Sequence, residues 1–220
     1  MATDDWRDIA AGIGGAIRMA GALITPFLRQ RRSRGGRDAT CTARRLPGDE
    51  LVPAPRWGWT HAIEIDAPAS RVWPWVAQVG ADRGGFYSYQ WLENMAGCRL
   101  RNAETIHPEW EMRPGGGLVL HPKVPPLPIA AIEPGHYFVA HAPAPPDVTK
   151  SEAPWVAASW LFLVEPMSEQ RSRVVSRYRV ASSDDLKTRV SFGPALVEPI
   201  GTEMNRRMLL GLKARAEAAA

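Results

Sequence analysis

The sequence predicts one α+β domain preceded by a helical extension, and three observations predict it. The run from Trp59 to Gly97 opens with an alternating strand that leads at once into two short helices. Two strong strand patterns, Trp155–Val164 and Arg173–Ala181, follow a set of shorter ones. The C-terminal segment then places Val197, Ile200, Met204, Met208 and Leu212 at helical steps in Ala-rich, helix-favouring sequence.

Ahead of the domain, Ile9, Ile13, Ala16, Ile17, Ala20, Leu23, Ile24 and Phe27 recur at steps of three and four, an apolar stripe along one helical face. Arg7, Ala11, Gly14, Arg18, Gly21 and Thr25 form the smaller, more polar face. Arg29, Arg31, Arg32, Arg34 and Arg37 follow within nine residues. A stripe ending in an arginine cluster suits a membrane surface, with apolar groups at the acyl boundary and arginines on anionic lipid. Packing on the domain or on a second subunit, and an unfolded extension, are the competing readings. A span is the weakest, because four Gly, Arg18 and Pro26 oppose stable insertion of Ile9–Leu28. The acidic start, Asp4-Asp5, argues against a secretory signal. The predicted organisation is an amphipathic helix over 1–28, a basic Pro-rich linker over 29–58 and a folded domain over 59–220.

Within the domain, His61, Ile63 and Ile65 alternate with Ala62, Glu64 and Asp66, the period of a strand with two unlike faces. Asp66-Ala67-Pro68 ends it, and Ser70 is placed to cap a helix carrying Val72, Val76 and Val79. Pro74 reads as early enough in that helix to be tolerated. Gly80 to Gly85 turns the chain into the second helix. Arg99 to Pro114 reads as irregular, Leu118–His121 as a short strand, and Ile129–Glu133 with His136–His141 as a hairpin about Pro134-Gly135. Pro143–Pro154 is a Pro-rich loop at the expected cavity rim. The two strong strands join at a turn near Glu169-Gln170-Arg171.

Gly48-Asp49 to Pro55, Ala67-Pro68, Val72-Trp73-Pro74-Trp75, Gln78, Gly80, Arg83-Gly84-Gly85, Tyr87-Ser88-Tyr89, Leu92-Glu93-Asn94 and Trp160-Leu161-Phe162-Leu163 form one linked set of motifs. That set resembles the START-like or SRPBCC superfamily, which includes polyketide cyclase-like proteins and lipid-transfer domains, and within it a bacterial subgroup. The resemblance covers Gly48 to the C-terminus. It implies a helix-grip fold, a curved antiparallel sheet wrapped around a long C-terminal helix with a mostly apolar cavity between them. It implies no single activity, since fold and function separate on such scaffolds.

Composition narrows the functions. Nine Trp need large, partly polar surroundings. Cys41 and Cys98 allow at most one disulfide and have no metal or redox spacing, so a reducing cytoplasm is the simpler assumption. Residues 1–47 hold nine Arg against four Asp, a balance of +5; the remainder holds eighteen Lys or Arg against nineteen Asp or Glu, a balance of −1. The basic charge belongs to the arm, and without a base-reading motif it does not point to nucleic acid.

The five histidines, His61, His107, His121, His136 and His141, have no ligand spacing and read as surface or hydrogen-bonded groups, so neither a metal nor a cofactor is expected. Gly80–Gly85 lacks the Lys-Ser or Lys-Thr of a phosphate loop, Ser88 lies in no nucleophile elbow, and Cys98 has no neighbouring base. A cavity argument remains. Tyr87, Tyr89 and Glu93 follow the Gly-rich turn at the expected entrance, either anchoring a ligand or tying down the helix. Met95, Met204 and Met208 suit a variable apolar ligand, with core packing as the alternative. Arg173, Arg177 and Arg179 share a strand face that reads as solvated, which turns Ser176 and Tyr178 inward. The expected ligand-binding set is Tyr87, Tyr89, Glu93, Trp160, Tyr178 and Met204, with no catalytic residue assigned.

The leading function is binding or transport of a small hydrophobic, lipid-like or polyketide-like ligand, in the cytoplasm or peripheral to the inner face of the membrane. The alternative is a cyclase- or dehydrase-like enzyme acting on a polyketide or aromatic substrate. It would use Glu93 with Tyr87 or Tyr89 as acid and base, and more weakly His107 or His121. Nothing in the sequence indicates an oligomeric state.

Overall fold

The computed structural model describes residues 2–25, 43–148 and 153–218, with side chains from Asp8 onward. Phe27, Cys41, the Arg29–Arg37 cluster and the middle of the Pro143–Pro154 loop lie outside the described residues.

Helix α1 (Ala2–Ile24) comes first. Strand β1 (Trp57–Ile65) starts at Trp57 rather than Trp59, and it leads into α2 (Ala69–Ala77) and α3 (Gln90–Met95) as the sequence predicts. Five strands follow: β2 (Gly117–Leu118), β3 (Leu127–Glu133), β4 (Tyr137–Ala142), β5 (Val156–Ser168) and β6 (Arg171–Ser182). A helix α4 (Leu186–Phe192), not expected from the sequence pattern, precedes the long α5 (Val197–Ala218). The six strands form one antiparallel sheet in the order β1-β6-β5-β4-β3-β2. Register shifts between Ile129 and Ala131 and between Pro166 and Ser168 bend the strands, as bulges do. With α5 laid along it, this is the helix-grip α+β fold.

The course of α5 is fixed by contacts that step along β1 in one direction. Gly201 faces the Trp59 ring, Asn205 faces His61, and Lys213 Nζ donates to the Glu64 carbonyl at 2.7 Å. Glu217 accepts from the Asp66 N–H at 2.8 Å. The C-terminal half of α5 buries Met208, Leu209, Leu212 and Ala216 against Val72, Val76 and Phe162 in the main core. The N-terminal half departs from the predicted stripe. Ile200 is exposed, and the buried line there is polar, made of Glu198, Thr202 and Asn205.

Two local expectations are corrected in α2. Ser70 lies inside the helix and caps nothing; the Pro68 carbonyl receives the Arg71 and Val72 N–H groups instead. Pro74 sits past the first turn, in the helix interior, where it removes a backbone hydrogen bond. Burial of Val72, Trp73, Trp75 and Val76 offsets that loss, at about 1.5–3 kcal/mol for each fully buried large side chain.

The outer face of β6 is the larger correction. Arg177 is only 5% exposed, not solvated. Its guanidinium donates to Asp49 Oδ2 at 2.6 Å, to the Arg44 carbonyl at 3.0 Å and to Thr60 Oγ1 at 3.1 Å. Arg179 donates to the carbonyls of Val52 at 2.9 Å and Pro53 at 3.1 Å, and Arg173 pairs with Glu64 at 3.3 Å. Residues 46–53, assigned to the linker from sequence, lie on this face, with Leu46 packed among Val139, Leu161, Leu163 and Val175. Gly48 has φ 84° and presses on Val139, where a Cβ would come within 2.6 Å.

Candidate functional site

Strand alternation puts one row of side chains from each of β1, β6 and β5 beneath α5. β1 supplies Trp57, Trp59 and His61; β6 supplies Ser176 and Tyr178; β5 supplies Trp160 and Phe162. Trp59 stacks on Tyr178 with ring centroids 4.6 Å apart, Tyr178 meets Trp160 edge-on at 5.8 Å, and Phe86 lies over Trp160 at 6.5 Å. Such pairs add about 0.5–1.5 kcal/mol each beyond their burial. At one end of this wall, Trp57 borders a cleft of about 580 Å³ with Arg56, Ser182, Asp184 and Arg189.

A buried polar string crosses from the sheet to α5. Trp160 Nε1 donates to Ser176 Oγ at 2.9 Å, Ser176 Oγ donates to Asn205 Oδ1 at 2.7 Å, and Asn205 Nδ2 lies 2.8 Å from His61 Nδ1. These groups satisfy one another, as buried polar groups must. Two neighbours are not satisfied in this way. Trp59 Nε1 is buried with no hydrogen-bond partner among the described residues. The Tyr178 hydroxyl likewise makes no described hydrogen bond, and burial alone pushes its pKa up to about 12.

The six residues expected to bind ligand divide into two groups. Trp160 and Tyr178 meet on the inner sheet face, and Met204 is half-buried on α5 beside Asn205. Tyr87, Tyr89 and Glu93 belong to the segment whose Ser88 contacts Met204 and whose Phe86 meets Trp160. The Tyr87 hydroxyl donates to the Trp75 carbonyl at 3.1 Å and accepts from Gln78 at 3.0 Å, and burial holds its pKa far above the usual phenol range. Tyr87 also has φ 53°, and its backbone is pressed so close to Gly211 that a Cβ there would come within 2.1 Å of the Tyr87 carbonyl. Tyr89 donates to Glu203 Oε1 at 2.6 Å and accepts from Arg18. Burial disfavours the Glu203 carboxylate, but hydrogen bonds from Arg206, Tyr89 and Arg18 keep its pKa below normal.

Glu93 is 6% exposed, and its Oε2 has no partner among the described residues. Burial, with a smaller push from Asp8, raises its pKa to about 8, so it carries a proton at neutral pH. Both tyrosine hydroxyls are spent on other groups, so neither forms an acid–base pair with Glu93. Ser88 Oγ links this segment to Met204, 3.3 Å from its carbonyl and 3.6 Å from its sulfur.

Met95 is 68% exposed and lines no interior, because α3 turns that side outward. His107 stacks on Trp110 at 4.0 Å on the surface, and His121 bonds the Ala96 carbonyl at 3.2 Å. Among the described residues no group of three or more His, Cys, Asp or Glu side chains is arranged to hold a metal. His61, Asn205 and Ser176 were missed as site residues. Two signals pointed to them: a histidine on the apolar side of an alternating strand, and an asparagine one turn before Met208 and Leu209 in a helix.

No family model and no curated protein matches the chain. Solved structures give weak likenesses. A polyketide-cyclase-like protein of Corynebacterium glutamicum is 17% identical, with 73% of this chain and 87% of that one covered, at a TM-score of 0.33. The Zhui aromatase/cyclase of a Streptomyces species is 13% identical over 74% of this chain and 98% of its own, at 0.32. A Thermobifida fusca protein is 18% identical over 66% and 93%, also at 0.32. At such scores these likenesses carry no argument about activity.

Proposed function

We propose that the protein binds a small, largely apolar ligand with one hydrogen-bond-accepting group between the sheet and the N-terminal half of α5, without acting on it chemically. The observation that carries this reading is the pairing of stacked aromatic rings with two unspent donors, Trp59 Nε1 and the Tyr178 hydroxyl. Apolar walls with a few convergent polar groups are what small-molecule sites require. Trp160 extends the wall, and Met204 meets the Tyr87–Glu93 segment through Ser88.

Met204→Trp should fill the space and weaken uptake of an apolar fluorescent probe while the thermal transition stays cooperative. A probe affinity equal to the parent's in that variant would overturn the assignment. The protonated Glu93 favours a second reading, a general acid in a cyclase- or dehydrase-like reaction. That reading requires the group to reach a substrate from beneath α1, and turnover of an aromatic polyketide mimic abolished by Glu93→Gln would establish it.

A further inference from the structure

The sequence leaves open whether the apolar stripe of α1 packs on the domain or stays free for a membrane, and the face that packs is not the stripe. The docked face is the small one. Gly12 sits against the Trp91 ring and Gly15 against the Tyr89 ring, so close that a Cβ would come within 2.8 Å and 2.7 Å of them. Arg18, one turn on, pairs with Glu203 at 2.6 Å and donates to Tyr89, and Ala22 is buried beyond it. These contacts hold α1 to α3 and α5 with its glycine-rich side inward.

The opposite side consequently faces out. Ile13 is 50% exposed, Ile17 68% and Ile24 80%, with Ala16, Ala20 and Leu23 exposed between them. These residues form a continuous apolar strip about 16 Å long at 1.5 Å per residue. The chain then continues through Pro26 into Arg29, Arg31, Arg32, Arg34 and Arg37. The remainder of the chain is almost neutral, so the net positive charge lies within residues 1–47. Among the described residues no helix is long and apolar enough to cross a membrane, so the strip is suited to lie on one.

We infer that α1, while docked on the domain, is the surface by which the protein lies on an anionic membrane. The isoleucines enter the acyl boundary and the arginine cluster meets the phosphate headgroups. Lipid supplies both halves of what the strip and the cluster need, an apolar layer beside fixed negative charge. Docking and membrane contact use opposite sides of the helix, so neither displaces the other.

The test uses the full chain in flotation with phosphatidylcholine vesicles and with vesicles that also contain phosphatidylglycerol. Binding should require the anionic lipid, weaken as salt is raised, and fall by on the order of tenfold or more in Ile17→Glu. The melting temperature of that variant should stay close to the parent's, since the side chain is mostly exposed. Equal binding to both vesicle types, or no binding to either, would overturn the proposal. So would full binding by Ile17→Glu, which would leave the arginines acting alone. A dimer in solution that Ile17→Glu dissociates would assign the strip to a second copy of the chain instead.

Discussion

Ser176 and Arg177 are neighbours in the chain and lie on opposite faces of β6, and each anchors a different layer. Arg177 uses full charge, pairing with Asp49 to clamp the lead-in segment onto the outside of the sheet. Ser176 uses neutral hydrogen bonds, tying Trp160 and Asn205 together so that α5 stays in register on the inside. The outer clamp joins residues more than a hundred positions apart through guanidinium bonds, the shortest of them to Asp49. The inner string spreads the same task over weaker groups and leaves the adjoining Trp59 and Tyr178 donors unspent. Under the proposed ligand-binding reading, the outer face holds by charge while the inner face keeps polar capacity in reserve.

The sharpest way to break this comparison is Arg177→Ala. It takes from Asp49 its shortest ion pair, leaving Arg179 at 3.4 Å and the Leu46 N–H at 2.9 Å, and should cost about 1.5–3 kcal/mol in denaturant unfolding, the range for a hydrogen bond to a charged group. A loss below that of any inner-face variant would show that the outer clamp is not the stronger anchor.

Glu93 supplies a pH-dependent version of the same contrast, a carboxyl buried without a countercharge. Its pKa rises from the ordinary 4.5 to about 8 in the folded protein, so the folded state holds a proton that the unfolded chain releases earlier. Stability from this group is therefore complete below pH 4.5, declines as pH rises and is at its lowest above pH 8. Glu93→Gln should raise the melting temperature more at pH 9 than at pH 5, and an equal effect at both would refute a buried, protonated carboxyl.

On the inner face, Asn205→Leu should cost about 1–3 kcal/mol, because it leaves both Ser176 and His61 short of a partner. The smallest effect belongs to Tyr178→Phe. Its hydroxyl has no described partner, so folding stability should stay within about 0.5 kcal/mol of the parent. Probe affinity should fall by about 0.5–1.5 kcal/mol for a probe carrying a carbonyl. A large stability loss in Tyr178→Phe would mean the hydroxyl is structural and not held in reserve.

The sequence was most legible where a local rule decides the structure. Alternation located β1, Pro134-Gly135 located the β3–β4 turn, and the apolar steps at Met208 and Leu212 located α5. It was least legible where a distant partner decides. Nothing near Arg177 reveals that Asp49 will cover it, so a row of arginines read as solvated. The polar line Glu198, Thr202 and Asn205 was hidden because helical apolar spacing was scored through Ile200 and Met204. In α1 the usual assignment of faces was reversed, because glycines allow a closer approach to the Tyr89 and Trp91 rings than isoleucines would. Of the expected ligand set, Trp160 and Tyr178 share the inner sheet face as strand phase predicts. The partners that spend the Tyr87 and Tyr89 hydroxyls come from other elements, Gln78 and Glu203 among them, which no local pattern encodes.

The glycine face of α1 also sets an order of events during synthesis. Gly12, Gly14, Gly15 and Gly21 weaken the segment as a free helix by about 1 kcal/mol each relative to alanine, and an isolated helix of this length is marginal even without them. Its stability as a helix comes from the Tyr89 and Trp91 rings and from Glu203, which is made 185 residues after its partner Arg18. Helix α1 therefore waits for α5 to be made, and in that interval its isoleucines remain open to whatever hydrophobic surface lies nearby.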